Sequence, residues 1–133
     1  MLVAYQVSLE VIRELRPLVE QIKKYDNNLA KQLVNAMNST TQNLAEAEVH
    51  RGGNKRAKLD IAHGEANEVK ASLDLALAWG YISDDCAARV KLRRLLALCW
   101  GLTHARVTPV TRGTRGTSGT RTPPAPDVDP RAR

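Results

Sequence analysis

Two groups of basic residues are the parts of this sequence best suited to chemistry, because guanidinium and ammonium groups bind phosphates. The first group lies at the entrance to a helical segment and contains Arg51, Lys55, Arg56 and Lys58. The second follows one side of a later helical segment and contains Arg89, Arg93, Trp100 and His104. It places an indole among guanidinium groups, as proteins that bind single-stranded nucleic acids do. Taken singly, each group is better explained as ordinary solvated surface charge.

The acidic residues and histidines form no recognisable catalytic or metal site. A carboxylate-bridged metal site in a helical bundle uses Glu-x-x-His on two helices, and the sequence lacks this motif. His63-Gly64-Glu65 matches the start of a zinc deaminase signature, but the Pro-Cys-x-x-Cys that completes the signature is missing. The three histidines are isolated, and neither Gly-x-Ser-x-Gly nor a phosphate loop occurs. We therefore predict a protein that is not an enzyme and has no metal or cofactor.

The composition indicates a single all-α domain. The chain has 133 residues, of which 43% are apolar but only 4% aromatic, and it contains no Phe. Leu, Ala and Val dominate the apolar set, and no alternating run bounded by turn residues predicts a strand. We predict an antiparallel up-down-up-down four-helix bundle over residues 1–104, followed by a disordered Arg/Thr/Gly/Pro-rich tail over residues 105–133.

The net charge of +6 would ordinarily indicate a polyanionic partner, but it is unevenly distributed. Residues 1–104 carry 14 Lys and Arg against 12 Asp and Glu, leaving +2, whereas residues 105–133 carry six Arg against two Asp, leaving +4. The predicted tail therefore adds Arg112, Arg115 and Arg121 to the candidate phosphate ligands.

Turn and capping residues predict where the helices begin and end. Pro17 falls within the apolar stripe of the first helix and should bend that helix without ending it. Asp26 lies where an N-cap is needed, and residues 51–54 should break the chain and cap the third helix. Gly80 should end the third helix, and residues 83–85 should begin the fourth.

The second helix is less apolar than the others. Residues 38–43 are poor helix formers, so packing or specific hydrogen bonds must hold them. Glu46 lies four residues before His50 on one edge of this helix, and Glu68 lies within the apolar arc of the third. We expect both carboxylates to accept hydrogen bonds from exposed amides of helix two or from cationic groups of a neighbouring subunit.

The third helix carries apolar residues on two sides. Its inner seam is predicted to contain Leu59, Ala62, Ala66, Val69, Leu73, Ala76 and Leu77. A second line lies roughly 110° away around the helix and contains Ile61, Ser72, Leu75 and Trp79. We predict a homo-oligomer whose interface includes Ile61, Glu65, Glu68, Leu75 and Trp79. The alternative is a central helix in a lopsided monomer.

The two cysteines indicate a reducing compartment. Cys86 and Cys99 lie thirteen residues apart on one helix, too far apart to form a disulfide bond. Neither a signal sequence nor a run of about 18 apolar residues occurs. We expect a soluble cytoplasmic protein that does not bind membranes.

The stretch from Leu29 to Ile82 strongly resembles the bacterial four-helix bundle family named for proteins encoded in intervening sequences of 23S ribosomal RNA genes. The residues that carry the resemblance are Asp26, Leu29-Ala30-Lys31-Gln32-Leu33, Asn43-Leu44-Ala45-Glu46, Gly52-Gly53-Asn54-Lys55-Arg56, Ile61-Ala62, Ala66-Asn67-Glu68 and Ala78-Trp79-Gly80-Tyr81-Ile82. Two positions depart from the family pattern: Ala47 stands where the family has Gly, and Glu65 stands where it has a small Ser.

The resemblance implies a homo-oligomer, most simply a ring-shaped pentamer, without demonstrated catalysis. A related group, the accessory variability proteins of diversity-generating retroelements, resembles the same bundle and binds RNA and a reverse transcriptase. The leading hypothesis is therefore a non-enzymatic oligomeric accessory protein that binds RNA or DNA phosphates and has a reverse transcriptase as a possible partner. The competing hypothesis is a protein-only scaffold whose charge serves solubility.

Overall fold

The computed structural model describes residues 2–104, and these residues form four α-helices. The helices are α1 (Val3–Lys23), α2 (Asn27–Ala47), α3 (Gly52–Ala78) and α4 (Cys86–His104). No strand occurs in this part of the chain, so the predicted all-α class is confirmed. The predicted tail, with Arg112, Arg115 and Arg121, lies outside the described residues.

Each helix packs against two neighbours, in the pairs α1–α2, α2–α3, α3–α4 and α1–α4. Side-chain contacts fix the directions of the helices. The backbone N–H of Leu2 donates to Glu48 at 3.0 Å, which joins the start of α1 to the end of α2. Asp74, near the end of α3, binds Arg89, near the start of α4. The bundle is therefore antiparallel, as the apolar stripes predict.

The core consists of Leu, Ala, Val and Ile side chains from all four helices. Pro17 lies on the exposed side of α1, which continues to Lys23, so proline does not end the helix. One residue of the predicted inner seam is misplaced. Leu77 is 41% exposed because it lies in the last turn of α3, where the chain leaves for the connection to α4. Ser72, predicted on the outer line, is buried.

Specific hydrogen bonds hold the polar middle of α2, as the sequence predicts. The Thr40 hydroxyl donates to the carbonyl of Ala36 at 2.8 Å. The Thr41 hydroxyl donates to Ser8 of α1 at 3.1 Å. These bonds satisfy hydroxyl groups that otherwise oppose helix formation.

The helix ends largely follow their local signals. The Asp26 carboxylate caps α2 by accepting from the N–H of Leu29 at 2.9 Å. Gly80 has a φ of 78°, a conformation that glycine adopts without strain, and it directly follows the C-cap residue of α3. The predicted break at residues 51–54 is shorter than expected. α3 already begins at Gly52, and Arg51 is an N-cap without a side-chain hydrogen bond.

Candidate nucleic-acid interface

The basic group at the start of α3 is only partly available to a ligand. Arg51 and Arg56 are exposed, and Lys55 is half-buried. The Lys58 ammonium lies 2.7 Å from the Glu46 carboxylate of α2. The hydrogen bond from Lys58 lowers the pKa of Glu46, with the charge of Lys58 adding to the effect. Glu46 therefore pairs with a cation of its own chain, rather than with amides of α2 or a neighbouring subunit as predicted.

Arg89 links α3 and α4. Its guanidinium donates to Asp85 at 2.7 Å and 3.1 Å, and to Asp74 of α3 at 2.8 Å. The hydrogen bonds to these carboxylates, that to Asp85 first, raise the pKa of Arg89 despite partial burial. Because two carboxylates already neutralise its charge, Arg89 is poorly placed to bind a phosphate. Its role in the structure is to join two helices.

Arg93 lies one turn further along α4 and is exposed. Within residues 2–104 its guanidinium makes no ion pair. Arg56 is likewise exposed and without an ion pair to any other described residue. Arg56 and Arg93 each lie on the same helix line as a ring of one aromatic group, about 10 Å away along the helix axis.

That aromatic group is centred on Trp100, whose side chain is 55% exposed. The His104 ring stacks on the indole with centroids 3.3 Å apart and planes inclined by 20°. His63 of α3 lies 6.1 Å away at a tilt of 59°. Burial lowers the pKa of His63, and the nearby charge of His104 lowers it further. Two histidines that lie far apart in the sequence thus meet at one indole.

The two basic groups meet along the α3–α4 seam, a surface made of Arg56, His63, Arg93, Trp100 and His104. Residues seven apart share one line of a helix, about 10 Å apart along its axis. Arg56 therefore lies two turns from His63 on α3, towards the start of the helix. Arg93 lies two turns from Trp100 on α4. The contact between His63 and Trp100 joins the two lines. The spacing of Trp100 and His104 was visible in the sequence, but the approach of His63 was not.

The five residues predicted at an oligomer interface form a second surface, the α3 ridge: Ile61, Glu65, Glu68, Leu75 and Trp79. Its three apolar members are exposed in the single chain, by 45%, 49% and 70% in that order. In the single chain α3 packs against α2 and α4 and leaves this side uncovered, so it is not a central helix.

The two carboxylates of the α3 ridge lie in a partly apolar setting. Burial raises the pKa of Glu65, and the charge of Glu68 raises it further. Gln32 and Asn35 of α2 line the same shallow groove as both glutamates. No hydrogen bond joins the Glu68 carboxylate to either amide in the described chain, so the predicted amide partners are not found there.

A row of stacked aromatic rings lies at the opposite end of the bundle from Trp100 and was not predicted. Tyr25 and Tyr81 stack with centroids 5.3 Å apart and planes inclined by 5°. Trp79 continues the row 6.4 Å from Tyr81. The row connects the end of α1 with the connection between α3 and α4. It stabilises that end of the bundle while leaving Tyr25 and Trp79 exposed.

The remaining features of the described chain that bear on function are its cysteines, its possible metal ligands and the hydrophobicity of its helices. Cys86 is exposed, Cys99 is buried, and both are free thiols. Among residues 2–104, no three His, Cys, Asp or Glu side chains come together in a way that could hold a metal ion. None of the four helices has the length and apolar character needed to cross a membrane.

Residues 1–94 match the family model described as 23S rRNA-intervening sequence protein. The chain belongs to this family. Its fold is also similar to a crystal structure from Bacteroides thetaiotaomicron VPI-5482, described as a protein with unknown function from the S23 ribosomal protein family. The TM-score is 0.69 at 24% identity, covering 77% of this chain and 100% of that one. At this identity the likeness shows the fold alone. No curated protein matches the chain.

The family match stops before Trp100 and His104. The aromatic centre of the α3–α4 seam therefore lies beyond the matched part of the sequence, whereas the α3 ridge lies within it. The likeness to accessory variability proteins of retroelements stays a prediction.

Proposed function

We propose that the protein is a non-enzymatic, homo-oligomeric accessory protein that binds single-stranded RNA or DNA through the α3–α4 seam. The observation that carries this proposal is the exposed indole of Trp100, which lies between Arg56 and Arg93, two exposed arginines that pair with no carboxylate in the described part of the chain. Cations beside an aromatic platform are the arrangement with which proteins hold single strands without reading sequence.

The chemistry of the seam suits a flexible strand better than a duplex. A base can stack on the indole only if it is not already stacked inside a helix, and one such contact contributes about 1–3 kcal/mol. Arg56 and Arg93 lie about 10 Å to either side of the ring pair along the helix axes. Two phosphates of a short extended segment can therefore reach the guanidinium groups while a base between them covers Trp100.

Ion pairs within the chain occupy some of the basic side chains and leave others available to bind phosphates. Lys58, Lys70, Arg89 and Lys91 each bind a carboxylate of the same chain. Among residues 2–104, Arg51, Lys55, Arg56 and Arg93 form no such pair, and they remain the candidate phosphate ligands within the bundle. Arg112, Arg115 and Arg121 would add flexible contacts if the tail binds as the sequence predicts.

Oligomerisation would strengthen a weak interface. A single seam offers few phosphate contacts, and its affinity alone would be modest. Repeating the seam around a ring, such as the pentamer that the family resemblance implies, makes later contacts intramolecular and raises the overall affinity. A reverse transcriptase as protein partner rests on that resemblance only.

A protein-only scaffold is the second candidate, and the exposed α3 ridge favours it, since apolar side chains on a surface indicate protein contacts. Binding of a fluorescent single-stranded RNA, measured across a salt series, separates the two candidates. The proposed function predicts binding at about 50 mM salt that weakens steeply towards about 200 mM. Binding that is undetectable even at the lowest salt would contradict the nucleic-acid interface and favour the protein-only scaffold.

Deletion of residues 105–133 in the same assay measures the contribution of the tail. The proposed function expects the deletion to weaken binding without abolishing it, because the α3–α4 seam remains. A matched duplex should bind more weakly than the single strand to both proteins.

A further inference from the structure

A groove with an apolar floor lies between α1 and α2. Its residues come from both helices: Ile12, Arg13, Leu15, Arg16, Pro17, Val19, Glu20, Leu33, Val34, Met37 and Asn38. Leu15, Leu33 and Met37 form a buried floor, and Val34 and Pro17 are exposed at its edge. The surface is concave and apolar.

The charges at the edge of this groove are mainly positive. Arg13 and Arg16 are exposed and make no ion pair with any residue from 2 to 104, and Glu20 is the one acidic residue among those that line the groove. The α3 ridge has the opposite character. It exposes Ile61 and Leu75, and it carries the carboxylates of Glu65 and Glu68, which line a shallow groove together with Leu75.

We propose that the α3 ridge of one copy docks into the α1–α2 groove of a second copy, where the carboxylates of Glu65 and Glu68 meet the guanidinium groups of Arg13 and Arg16. This inference rests on the oligomeric part of the proposed function. Ile61 and Leu75 cover the apolar floor of the groove, and the opposite charges set the register of the two surfaces.

The proposed pairing gives the carboxylates of Glu65 and Glu68 a cation partner. Glu65 is half-buried beside the carboxylate of Glu68, and neither has a cation partner among the described residues. Two neighbouring carboxylates repel each other, and a cation that reaches both removes this repulsion. Arginine binds carboxylates through two parallel hydrogen bonds, so the arginines of the groove supply that partner.

The proposed contact joins two different surfaces and is therefore heterologous. Heterologous contacts produce closed rings or open filaments, not simple two-fold dimers. The ridge and the groove lie on adjoining sides of the bundle, since α2 borders both, and surfaces set at an angle favour closure. Glu68 and His63 lie about 140° apart around α3 at about 100° per residue, so docking leaves the α3–α4 seam uncovered.

Charge reversal followed by rescue tests the contact. The measurement is the mass of the full chain by light scattering at micromolar concentration. We expect Glu65→Arg with Glu68→Arg to lower the mass to that of a monomer, and Arg13→Glu with Arg16→Glu to do the same. Combining all four substitutions in one chain should restore the wild-type mass. Arg94→Glu, an exposed charge reversal on α4, is the control and should leave the mass unchanged.

Equal mixing of the two double variants gives a second readout. Each reversed surface then meets a reversed partner and each native surface meets a native one, so the mixture should form alternating assemblies heavier than either variant alone. A ring with an odd number of subunits cannot alternate throughout, so a closed pentamer is not expected from the mixture. Circular dichroism of each variant checks that the bundle remains folded, and its substitutions are at exposed or half-buried positions.

The outcomes separate this contact from the proposed function. Variants that keep the wild-type mass, or a folded fourfold variant that stays monomeric, would overturn the docking contact while oligomerisation stands. A monomeric wild type would overturn both the contact and the oligomer. Successful rescue in a protein that binds no RNA would support the contact and contradict only the nucleic-acid part of the proposed function.

Discussion

The imidazole of His63 on α3 and the indole of Trp100 on α4 lie with their ring centroids 6.1 Å apart. This contact joins two basic lines that the sequence presents as separate groups, and it places Trp100 at their centre. The resulting surface has an exposed indole and two guanidinium groups that form no ion pair within residues 2–104.

Removing either seam arginine should reduce the salt dependence of binding. For Arg56→Gln and for Arg93→Gln, we expect the slope of log K against log salt for single-stranded RNA to shrink by about 0.7, because each substitution removes one phosphate contact. The measurement is a fluorescence anisotropy titration at several salt concentrations.

The matched control is Lys58→Gln combined with Glu46→Gln. This double variant removes an existing ion pair and leaves the net charge unchanged, so the slope should equal that of the wild type. An equal loss of slope in the control would indicate that binding follows general charge and not the seam.

Breaking the link between Arg89 and Asp85 should destabilise the bundle. The Asp85 side chain is 9% exposed and that of Arg89 is 21% exposed, so solvent replaces the lost interaction poorly. We expect Asp85→Asn to lower the free energy of unfolding by about 2 kcal/mol in urea denaturation. Glu10→Gln, which breaks the exposed pair with Lys91, should have little effect. Similar losses for both variants would contradict the structural role of Arg89.

Protonation of His63 should make stability depend on pH. Burial, and then the charge of His104, lowers the pKa of His63 from its ordinary value of 6.5. The unfolded chain therefore binds this proton at a higher pH than the folded chain does. The stabilising contribution is complete above about pH 6.5 and is lost as pH falls through that value.

The comparison that isolates this effect is wild type against His63→Asn, each unfolded in urea at about pH 7.5 and about pH 5. Other titrating groups, including Glu65, are common to both proteins. The wild type should lose more stability than the variant on acidification. A difference between the two proteins that does not change with pH would show that His63 titrates normally.

The two thiols should differ strongly in reactivity. Cys86 is exposed, whereas burial raises the pKa of Cys99 to about 11. A thiol reagent at mildly alkaline pH should modify one cysteine per folded chain rapidly, because only the thiolate reacts. The second should react after unfolding in urea. Cys86→Ser should abolish the rapid phase, and a rapid phase that persists in this variant would mean that Cys99 is accessible.

The sequence predicts the helices well because their signals are local. The apolar stripe of α1, the cap at Asp26 and the glycine at position 80 each act within a few residues, and the structure confirms them. Leu77 was misplaced because its exposure depends on where the chain leaves α3.

Which cations remain free could not be predicted, because that depends on contacts between helices. Arg89 and Arg93 have the same residue type and lie one turn apart on α4. Arg89 donates hydrogen bonds to Asp74 of α3 and to Asp85, and these carboxylates occupy its guanidinium group. The contact with Asp74 becomes visible only in the folded chain. The same limit applies to the stacking of Tyr25 with Tyr81, which joins distant parts of the sequence.

The fluorescence of Trp100 tests the central claim most directly. A Trp79→Phe variant retains Trp100 as its single tryptophan, and Trp100→Phe retains Trp79. Titration with single-stranded oligouridine at low salt should quench the emission of Trp100, with a midpoint that rises with salt, since bases stack on the indole. The emission of Trp79 should change little. Binding that leaves Trp100 emission unchanged, or that quenches only Trp79, would contradict a nucleic-acid interface at the α3–α4 seam.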